Sequence, residues 1–260
     1  QYALYRSLIE RVAPRPVTIR TFDLDERQVG LKASRLERRG TRPGLRGLRL
    51  ALANPELLRT QLRALVRASA HGPLRVMFPF VTAVEEVRDA RGMLREIEAE
   101  RQKGPGVLPG RVQVGAMIEV PAAAIGLPGF IGAVDFLSVG TNDLIQYLLA
   151  ADRNNEALGE LYTPLHPALI RLLHSIIRIA GRRGKPVAVC GEMAGDALYA
   201  PLLLALGLSE LSLHPNTLVE LRRAIRNSDL AALRARAPAL LRARDRASIE
   251  AWVHASAPRG

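Results

Sequence analysis

Two carboxylates, an amide and a thiol interrupt an otherwise apolar scaffold near the ends of predicted strands. Glu119 and Asp143 are the carboxylates, Asn142 lies beside Asp143, and Cys190 is the one cysteine in the chain. Mg²⁺ is typically held by one or two carboxylates, with substrate oxygens and water in its remaining positions. We therefore predict a magnesium site that uses Glu119 and Asp143.

Three arginines supply the complementary charge. Arg20 closes the first predicted strand, and Arg46 and Arg153 are two further arginines that could contact an anion. The guanidinium group is a planar fork that binds phosphate or carboxylate through two hydrogen bonds. A metal, several arginines and a small anion together describe a site for phosphoryl transfer.

Each of these residues also has a structural explanation. Asn142 or Asp143 could cap a helix that begins around Leu144, because both residue types are common helix caps. Cys190 could be a small buried apolar residue, or, beside glycines that let a ligand approach the backbone, a proton donor or acceptor. The residues taken singly leave these alternatives open, whereas their shared position at strand ends favours a site.

The elements that must position these residues alternate between strand and helix patterns, as in βα units around a parallel sheet. Apolar, β-branched runs predict strands at residues 16–22, 74–80, 112–120, 134–139, 186–190 and 210–214. Amphipathic spacing predicts helices at residues 2–12, 55–69, 84–102, 168–183, 198–206 and 218–227, with one or two more after Asp229.

The number of predicted strands leaves open whether the sheet closes into a barrel. A closed (β/α)8 barrel needs eight strands, and the pattern supplies about six. Either two strands lie upstream of Gln1, or the sheet is open and doubly wound. We favour a TIM-type barrel truncated at its N-terminus, with extra C-terminal helices outside it. A helix at residues 2–12 precedes the first strand as though it completed an earlier βα unit. We expect residues 1–260 to form a single domain.

Composition argues against several classes of partner. The net charge is +12, but with three lysines the other 34 of 37 basic residues are scattered arginines, and aromatic residues make up 4% of the chain. These features do not favour nucleic-acid binding. No apolar run approaches the roughly 20 residues of a membrane span, and no leader opens the chain. One cysteine fits a reducing, cytoplasmic setting.

Three motifs give the chain a specific resemblance. They read Val-Gly-Thr-Asn-Asp-Leu-Ile-Gln at 139–146 with Ala-Ala-Asp-Arg at 150–153, Met-Ile-Glu-Val-Pro-Ala-Ala-Ala at 117–124, and Cys-Gly-Glu-Met-Ala-Gly-Asp at 190–196. With them the chain resembles the C-terminal phosphoenolpyruvate-binding barrel of Enzyme I of the bacterial phosphotransferase system. Pyruvate phosphate dikinase and phosphoenolpyruvate synthase share that barrel fold.

The resemblance implies a role for each candidate residue. Arg20 and Arg46 match arginines that bind the substrate phosphate, and Arg153 matches a further phosphoenolpyruvate-binding arginine. The remaining matches are Glu119 and Asp143 as Mg²⁺ ligands, Asn142 with Asp143 as a substrate-contacting pair, and Cys190 as the general acid that protonates C3 of the enolate.

The resemblance also implies partners. The phosphoryl group of phosphoenolpyruvate would pass to a histidine in a separate N-terminal domain and then to a phosphocarrier protein, releasing pyruvate, for sugar uptake or its regulation. The family pattern suggests a homodimer. None of the five histidines of this chain matches the phosphorylated one, so we expect this chain alone to bind substrate without being phosphorylated.

Three departures from the family pattern keep a second hypothesis open. Residues 25–28 replace a Gly-Gly-Asp-Lys segment, residues 40–44 replace Asn-Pro-x-Leu-Gly, and the strand of another phosphate-binding arginine would lie upstream of Gln1. The alternative is a regulatory paralogue or sensor that binds phosphoenolpyruvate, or a partner protein, without efficient turnover. The retained Glu119, Asp143, Arg153 and Cys190 favour the enzyme.

Overall fold

The computed structural model describes residues 1–25, 45–104 and 108–256. The chain divides into two compact units. The first contains Gln1–Met117 and Gly132–Phe136, and the second contains Ile118–Ile131 and Leu137–Gly260.

The first unit contains the predicted helices and strands and one further helix, at residues 47–53, that was not predicted. In chain order its elements are α1 (Tyr2–Val12), β1 (Val17–Arg20), α2 (Gly47–Ala53), α3 (Pro55–Ala68), β2 (Leu74–Phe78), α4 (Val84–Lys103) and β3 (Val112–Ile118). Ile118, the last residue of β3, belongs to the second unit, and Phe136, the first residue of the fourth strand, belongs to the first. Helix α3 packs against α1 and α4, because its apolar residues recur every three or four positions and bury Leu58, Leu62 and Leu65.

The second unit holds the remaining elements. They are α5 (Pro121–Phe130), β4 (Phe136–Gly140), α6 (Thr141–Leu149), α7 (Pro167–Arg182), β5 (Val187–Cys190), α8 (Glu192–Gly195), α9 (Ala200–Ala205), β6 (Glu210–Leu211), α10 (Leu218–Arg226), α11 (Leu230–Arg242) and α12 (Arg246–His254). Helix α7 packs on α5 and α11 with Leu169, Leu173 and Ile176 buried. The expectation of one or two further helices after Asp229 is confirmed, because α11 and α12 both form.

The described residues form an α/β fold with six strands, β1 to β6. In the first unit β1 pairs with β2 and β2 with β3, and in the second β4 pairs with β5 and β5 with β6; all four pairings are parallel. All five residues of β4 are buried, which is typical of parallel strands covered by helices. The prediction of a parallel α/β sheet is confirmed. In the described part of the chain, no helix is both long and apolar enough to cross a membrane.

Two differences from the predicted elements matter for the site. Helix α6 begins at Thr141 and not around Leu144, so Asn142 and Asp143 lie inside its first turn. Helix α5 was not predicted, because Pro128 and two glycines interrupt its sequence. It forms because Ala123, Ala124 and Leu127 are buried on one face.

Candidate active site

The junction between β4 and α6 carries two of the predicted site residues. Strand β4 ends at Gly140, which is the N-cap of α6 and has no side chain with which to cap it. The interpretation of Asn142 or Asp143 as a cap is therefore wrong. Asp143 lies in the first turn and is 8% exposed. A carboxylate there is favoured by the positive end of the helix dipole.

A second junction, between β5 and α8, is held against the first. Thr141 Oγ1 donates a hydrogen bond to the backbone oxygen of Cys190 at 2.8 Å. Gly191 follows with φ of +93°, and a Cβ atom there would lie 2.5 Å from Thr141 Oγ1 and 2.8 Å from Asn142 Oδ1. Only glycine fits this close approach without strain. The two chain turns therefore sit side by side, which brings Cys190 next to the Asn142–Asp143 turn.

The side chain of Asn142 joins the two turns. Its Oδ1 accepts a hydrogen bond from the backbone N–H of Glu192 at 3.0 Å, and its Nδ2 donates to Glu192 Oε1 at 3.4 Å. Asn142 therefore orients the segment after Cys190, a role that its sequence position did not predict. Glu192 also lies at the site and was not assigned a role, although it stands inside the Cys-Gly-Glu motif.

The sulfur of Cys190 has polar neighbours on β4. Ser138 Oγ donates to Cys190 Sγ at 3.5 Å, and Sγ is 3.3 Å from the backbone oxygen of Val139, to which the thiol donates. Cys190 is partly exposed. These contacts and the partial exposure of the residue do not fit a thiol buried as a small apolar residue.

Glu119 and Asp143 share a burial pattern that suits metal binding. Glu119 directly follows β3 and is 2% exposed, and within the described ranges these two are the acidic residues buried as whole residues. Buried carboxylates are rare unless paired or bound to a metal. The described residues hold no group of three or more His, Cys, Asp or Glu that could bind an ion. Two protein carboxylates, with substrate and water completing the shell, is an arrangement that Mg²⁺ accepts.

Arg153 and Tyr162 lie in the segment that follows α6. The backbone N–H of Arg153 donates to Gln146 Oε1 at 3.4 Å, and the Arg153 side chain is exposed. Tyr162 donates from its hydroxyl to the backbone oxygen of Asn142 at 3.1 Å. Burial raises the pKa of Tyr162, with Glu192 and Asp143 adding to the rise and Arg153 opposing it.

Tyr162 is therefore a residue of this site that sequence reasoning missed. It lies within electrostatic reach of a predicted metal ligand, Asp143, and a predicted substrate arginine, Arg153. No pattern singled it out, since one tyrosine in a loop carries no signal of its own.

In the first unit, Arg20 and Arg46 converge on one carboxylate. Arg46 donates to Asp23 through Nε at 2.9 Å and through Nη2 at 2.7 Å, which is a bidentate pair. Arg20 Nη1 lies 3.4 Å from Asp23 Oδ2, the oxygen that also accepts from Arg46 Nη2. The Asp23 side chain is 5% exposed, whereas those of Arg20 and Arg46 are 45% and 27% exposed. The two predicted phosphate arginines are thus brought together, by an aspartate that received no predicted role.

The backbone around this pair is held in unusual conformations. Phe80 has φ of +56° and Gly47 has φ of +58°. A Cβ atom on Gly47 would lie 2.6 Å from Phe80 Cβ, and the Arg46 guanidinium lies over the Phe80 ring at 5.3 Å from its centre. Non-glycine residues at positive φ cluster at functional sites, where the surrounding structure enforces them.

The predicted site residues are distributed over both units. Arg20 and Arg46 belong to the first unit, and Glu119, Asn142, Asp143, Arg153 and Cys190 belong to the second. Of the two altered family segments, Asp25 is described and forms an isolated bridge with Arg46. Residues 26–28 and 40–44 lie outside the described residues.

Known proteins that are similar to this chain agree with the resemblance that its sequence motifs indicate. The model of the family described as "PEP-utilising enzyme, PEP-binding domain" matches residues 1–230. The phosphoenolpyruvate-protein phosphotransferase of Priestia megaterium is 41% identical over 226 residues, which cover 87% of this chain and 39% of that protein. The protein of the same name from Cupriavidus necator is 43% identical over 229 residues, with 86% and 39% covered.

The chain spans about two fifths of the length of these two relatives. Among solved structures, a citrate lyase from Burkholderia xenovorans LB400 covers 76% of this chain and 67% of that chain, at 17% identity and a TM-score of 0.48. That likeness is too weak to carry an argument.

Proposed function

This chain belongs to the PEP-utilising enzymes as their PEP-binding domain, and from that membership we propose that it is the phosphoenolpyruvate-binding part of a phosphoenolpyruvate-protein phosphotransferase. The phosphoryl group would move to a histidine of a separate domain and then to a phosphocarrier protein, and pyruvate would be released. The observation that carries this proposal is the pair of chain turns joined by Thr141 and Asn142, which places the partly exposed Cys190 next to the Asn142–Asp143 turn.

The residues of the second unit would act on the metal and on the reacting carbon. Glu119 and Asp143 would hold Mg²⁺, which when bound offsets phosphate charge and the charge of the developing enolate. Arg153 would bind the substrate anion, held near the site by its position after α6. Asn142 would orient the Glu192 segment and contact substrate from the same turn.

The residues of the first unit would act on the phosphate. Arg20 and Arg46 present guanidinium groups that are partly exposed and already oriented by Asp23. Donors fixed before substrate arrives lose little freedom on binding, and positioning with charge stabilisation is the main source of catalysis in phosphoryl transfer. The assignment of these arginines to the same substrate rests on the motif match.

Cys190 would complete the reaction as the general acid. When the phosphoryl group leaves, the enolate of pyruvate carries an electron pair that can form a bond at C3. That electron pair takes the thiol proton, so that a C3–H bond forms as the S–H bond breaks. The electrons of the S–H bond stay on sulfur, which becomes a thiolate. Solvent then restores the thiol. The partial exposure of Cys190 and its neighbours on β4 support this role.

Further features follow the family pattern. We propose a truncated TIM-type barrel, a homodimer and a cytoplasmic location, supported by the parallel strand pairings and by the family membership. The altered segments 25–28 and 40–44 would modify the approach of the phosphohistidine domain without removing the catalytic groups.

The direct test is turnover by the full-length protein that carries this chain. With phosphoenolpyruvate, Mg²⁺ and phosphocarrier protein, we expect pyruvate and a phosphorylated carrier in equal amounts. Tight phosphoenolpyruvate binding with no pyruvate and no phosphorylated carrier would overturn the enzyme proposal in favour of a sensor.

A further inference from the structure

Ser138 is a buried hydroxyl next to the Cys190 sulfur. It lies in the middle of β4, is 5% exposed, and its Oγ is 3.5 Å from Cys190 Sγ. Strand β5 pairs with β4 in a register that sets Ser138 beside Ala188 and Gly140 beside Cys190. A buried hydroxyl needs a hydrogen-bond acceptor, and the sulfur is the acceptor that this geometry offers.

The second contact of the sulfur points the other way. The thiol donates to the backbone oxygen of Val139 at 3.3 Å, so its proton in this state is directed at a carbonyl group of β4. That bond stabilises the protonated sulfur. The Ser138 bond instead strengthens when the sulfur becomes negative, because hydrogen bonds to charged acceptors are stronger than those to neutral ones.

We propose that Ser138 is a positioning residue for proton transfer by Cys190, holding the sulfur at its place on β5 and stabilising the thiolate left after the proton reaches C3. This inference rests on the proposed function, and it adds a residue that does not itself touch substrate. Ser138 provides a donor that is already in place when charge appears, so no reorganisation is needed at that moment.

The test uses two substitutions of equal shape. Ser138→Thr keeps the hydroxyl and Ser138→Val replaces it with a methyl group, so both add the same bulk to a buried strand and differ in the donor alone. Ser138→Ala removes the donor without added bulk and covers the case in which the larger side chains do not fit. Thermal unfolding of each variant reports the packing cost separately.

The first readout needs no substrate. Because Cys190 is the one cysteine, iodoacetamide alkylation at pH 8 reports its thiolate alone. We expect Ser138→Val and Ser138→Ala to slow alkylation by about tenfold, the size of one hydrogen bond to a charged group. Ser138→Thr should stay near the wild-type rate. Equal rates for the folded Thr and Val variants, or an unchanged rate in a folded Ala variant, would overturn the proposal.

The second readout is exchange of the pyruvate methyl protons for deuterium, followed by proton NMR in D₂O with Mg²⁺ and inorganic phosphate. This half-reaction uses Cys190 and needs no phosphohistidine. We expect Ser138→Val to lower the exchange rate constant about tenfold, with an unchanged KM for pyruvate, and Ser138→Thr to retain the rate.

The outcomes separate the two proposals. Wild-type exchange with equal rates in the Thr and Val variants overturns the role of Ser138 alone. No exchange by the wild-type protein, or wild-type exchange that survives Cys190→Ser, overturns the proton-donor function and with it the role of Ser138 in proton transfer.

Discussion

The two polar regions of this chain are built on different principles. In the first unit, Arg20 and Arg46 share the Asp23 carboxylate, so two positive charges are partly offset by one negative charge and held by ion pairs. In the second unit, Asp143 and Cys190 are positioned by hydrogen bonds between two chain turns. From this difference we expect the arginine region to contribute to stability through its ion pairs, and we propose that the carboxylate and thiol region acts on a ligand.

The largest expected effect is in the second region. Cys190→Ser should lower pyruvate-forming turnover by about 10²- to 10⁴-fold, the range for loss of a general acid, because a serine hydroxyl is a much weaker acid than a thiol. Phosphoenolpyruvate affinity and thermal stability should change little. A coupled assay for pyruvate, with titration of phosphoenolpyruvate binding as control, checks both. Unchanged turnover would refute the proton-donor role.

A matched pair of aspartate substitutions addresses the comparison itself. Asp23→Asn should lower the free energy of unfolding by about 2 to 3 kcal/mol, less than for a fully buried pair because the arginines are partly exposed. Asp143→Asn should cost at most about 1 kcal/mol, the usual contribution of a carboxylate in a first helical turn. Urea unfolding of both variants measures the two losses. Equal losses would contradict the distinction between a stability-coupled and a ligand-coupled region.

Two glycine substitutions measure how much the close approach of the two turns contributes to stability. Gly191→Ala should destabilise by about 2 kcal/mol, because backbone strain at positive φ adds to contacts with Thr141 and Asn142. Gly184 also has positive φ, at +62°, but a Cβ atom there would meet nothing within 4 Å. Gly184→Ala should therefore cost about 1 kcal/mol from strain alone. Thermal unfolding measures the loss of stability in each variant. A greater loss for Gly184→Ala than for Gly191→Ala would show that the contacts at Gly191 do not add to the strain.

The smallest expected effect is at Tyr162. Tyr162→Phe removes the hydrogen bond to the Asn142 backbone oxygen and should weaken phosphoenolpyruvate binding by about 1 kcal/mol, the net size of one such bond. Tyr199→Phe is a control in the same unit, since Tyr199 likewise has a pKa raised by burial. Calorimetric titration of both variants measures the effect. Equal phosphoenolpyruvate affinities in the two variants would show that Tyr162 does not contribute to the site.

Sequence patterns predicted the elements where local signals agreed with the fold. Helix α1 has the predicted bounds, Tyr2–Val12. Helix α5 was missed because Pro128 and its glycines are unfavourable in an isolated helix, and burial of Ala123, Ala124 and Leu127 overrides that preference.

Candidate site residues could be proposed from the sequence where they followed a strand, and not where a proposed role depends on tertiary contacts. Glu119 and Cys190 stand where polar residues interrupt apolar runs, so their positions marked them. Asp23, Tyr162 and Ser138 gain their roles from partners 23, 20 and 52 residues away in the chain, namely Arg46, Asn142 and Cys190. No local pattern encodes contacts of that range.

The central claim is that Asp143 helps to hold a metal on which substrate binding depends. Isothermal titration of phosphoenolpyruvate into this chain, with and without Mg²⁺, tests it on the wild-type protein and on Asp143→Asn. We expect Mg²⁺ to strengthen wild-type binding by at least about tenfold, the order expected for a direct metal–phosphate contact, and Asp143→Asn to remove this dependence. Binding that is equal with and without Mg²⁺ in the wild-type protein, or metal-dependent binding that survives Asp143→Asn, would contradict it.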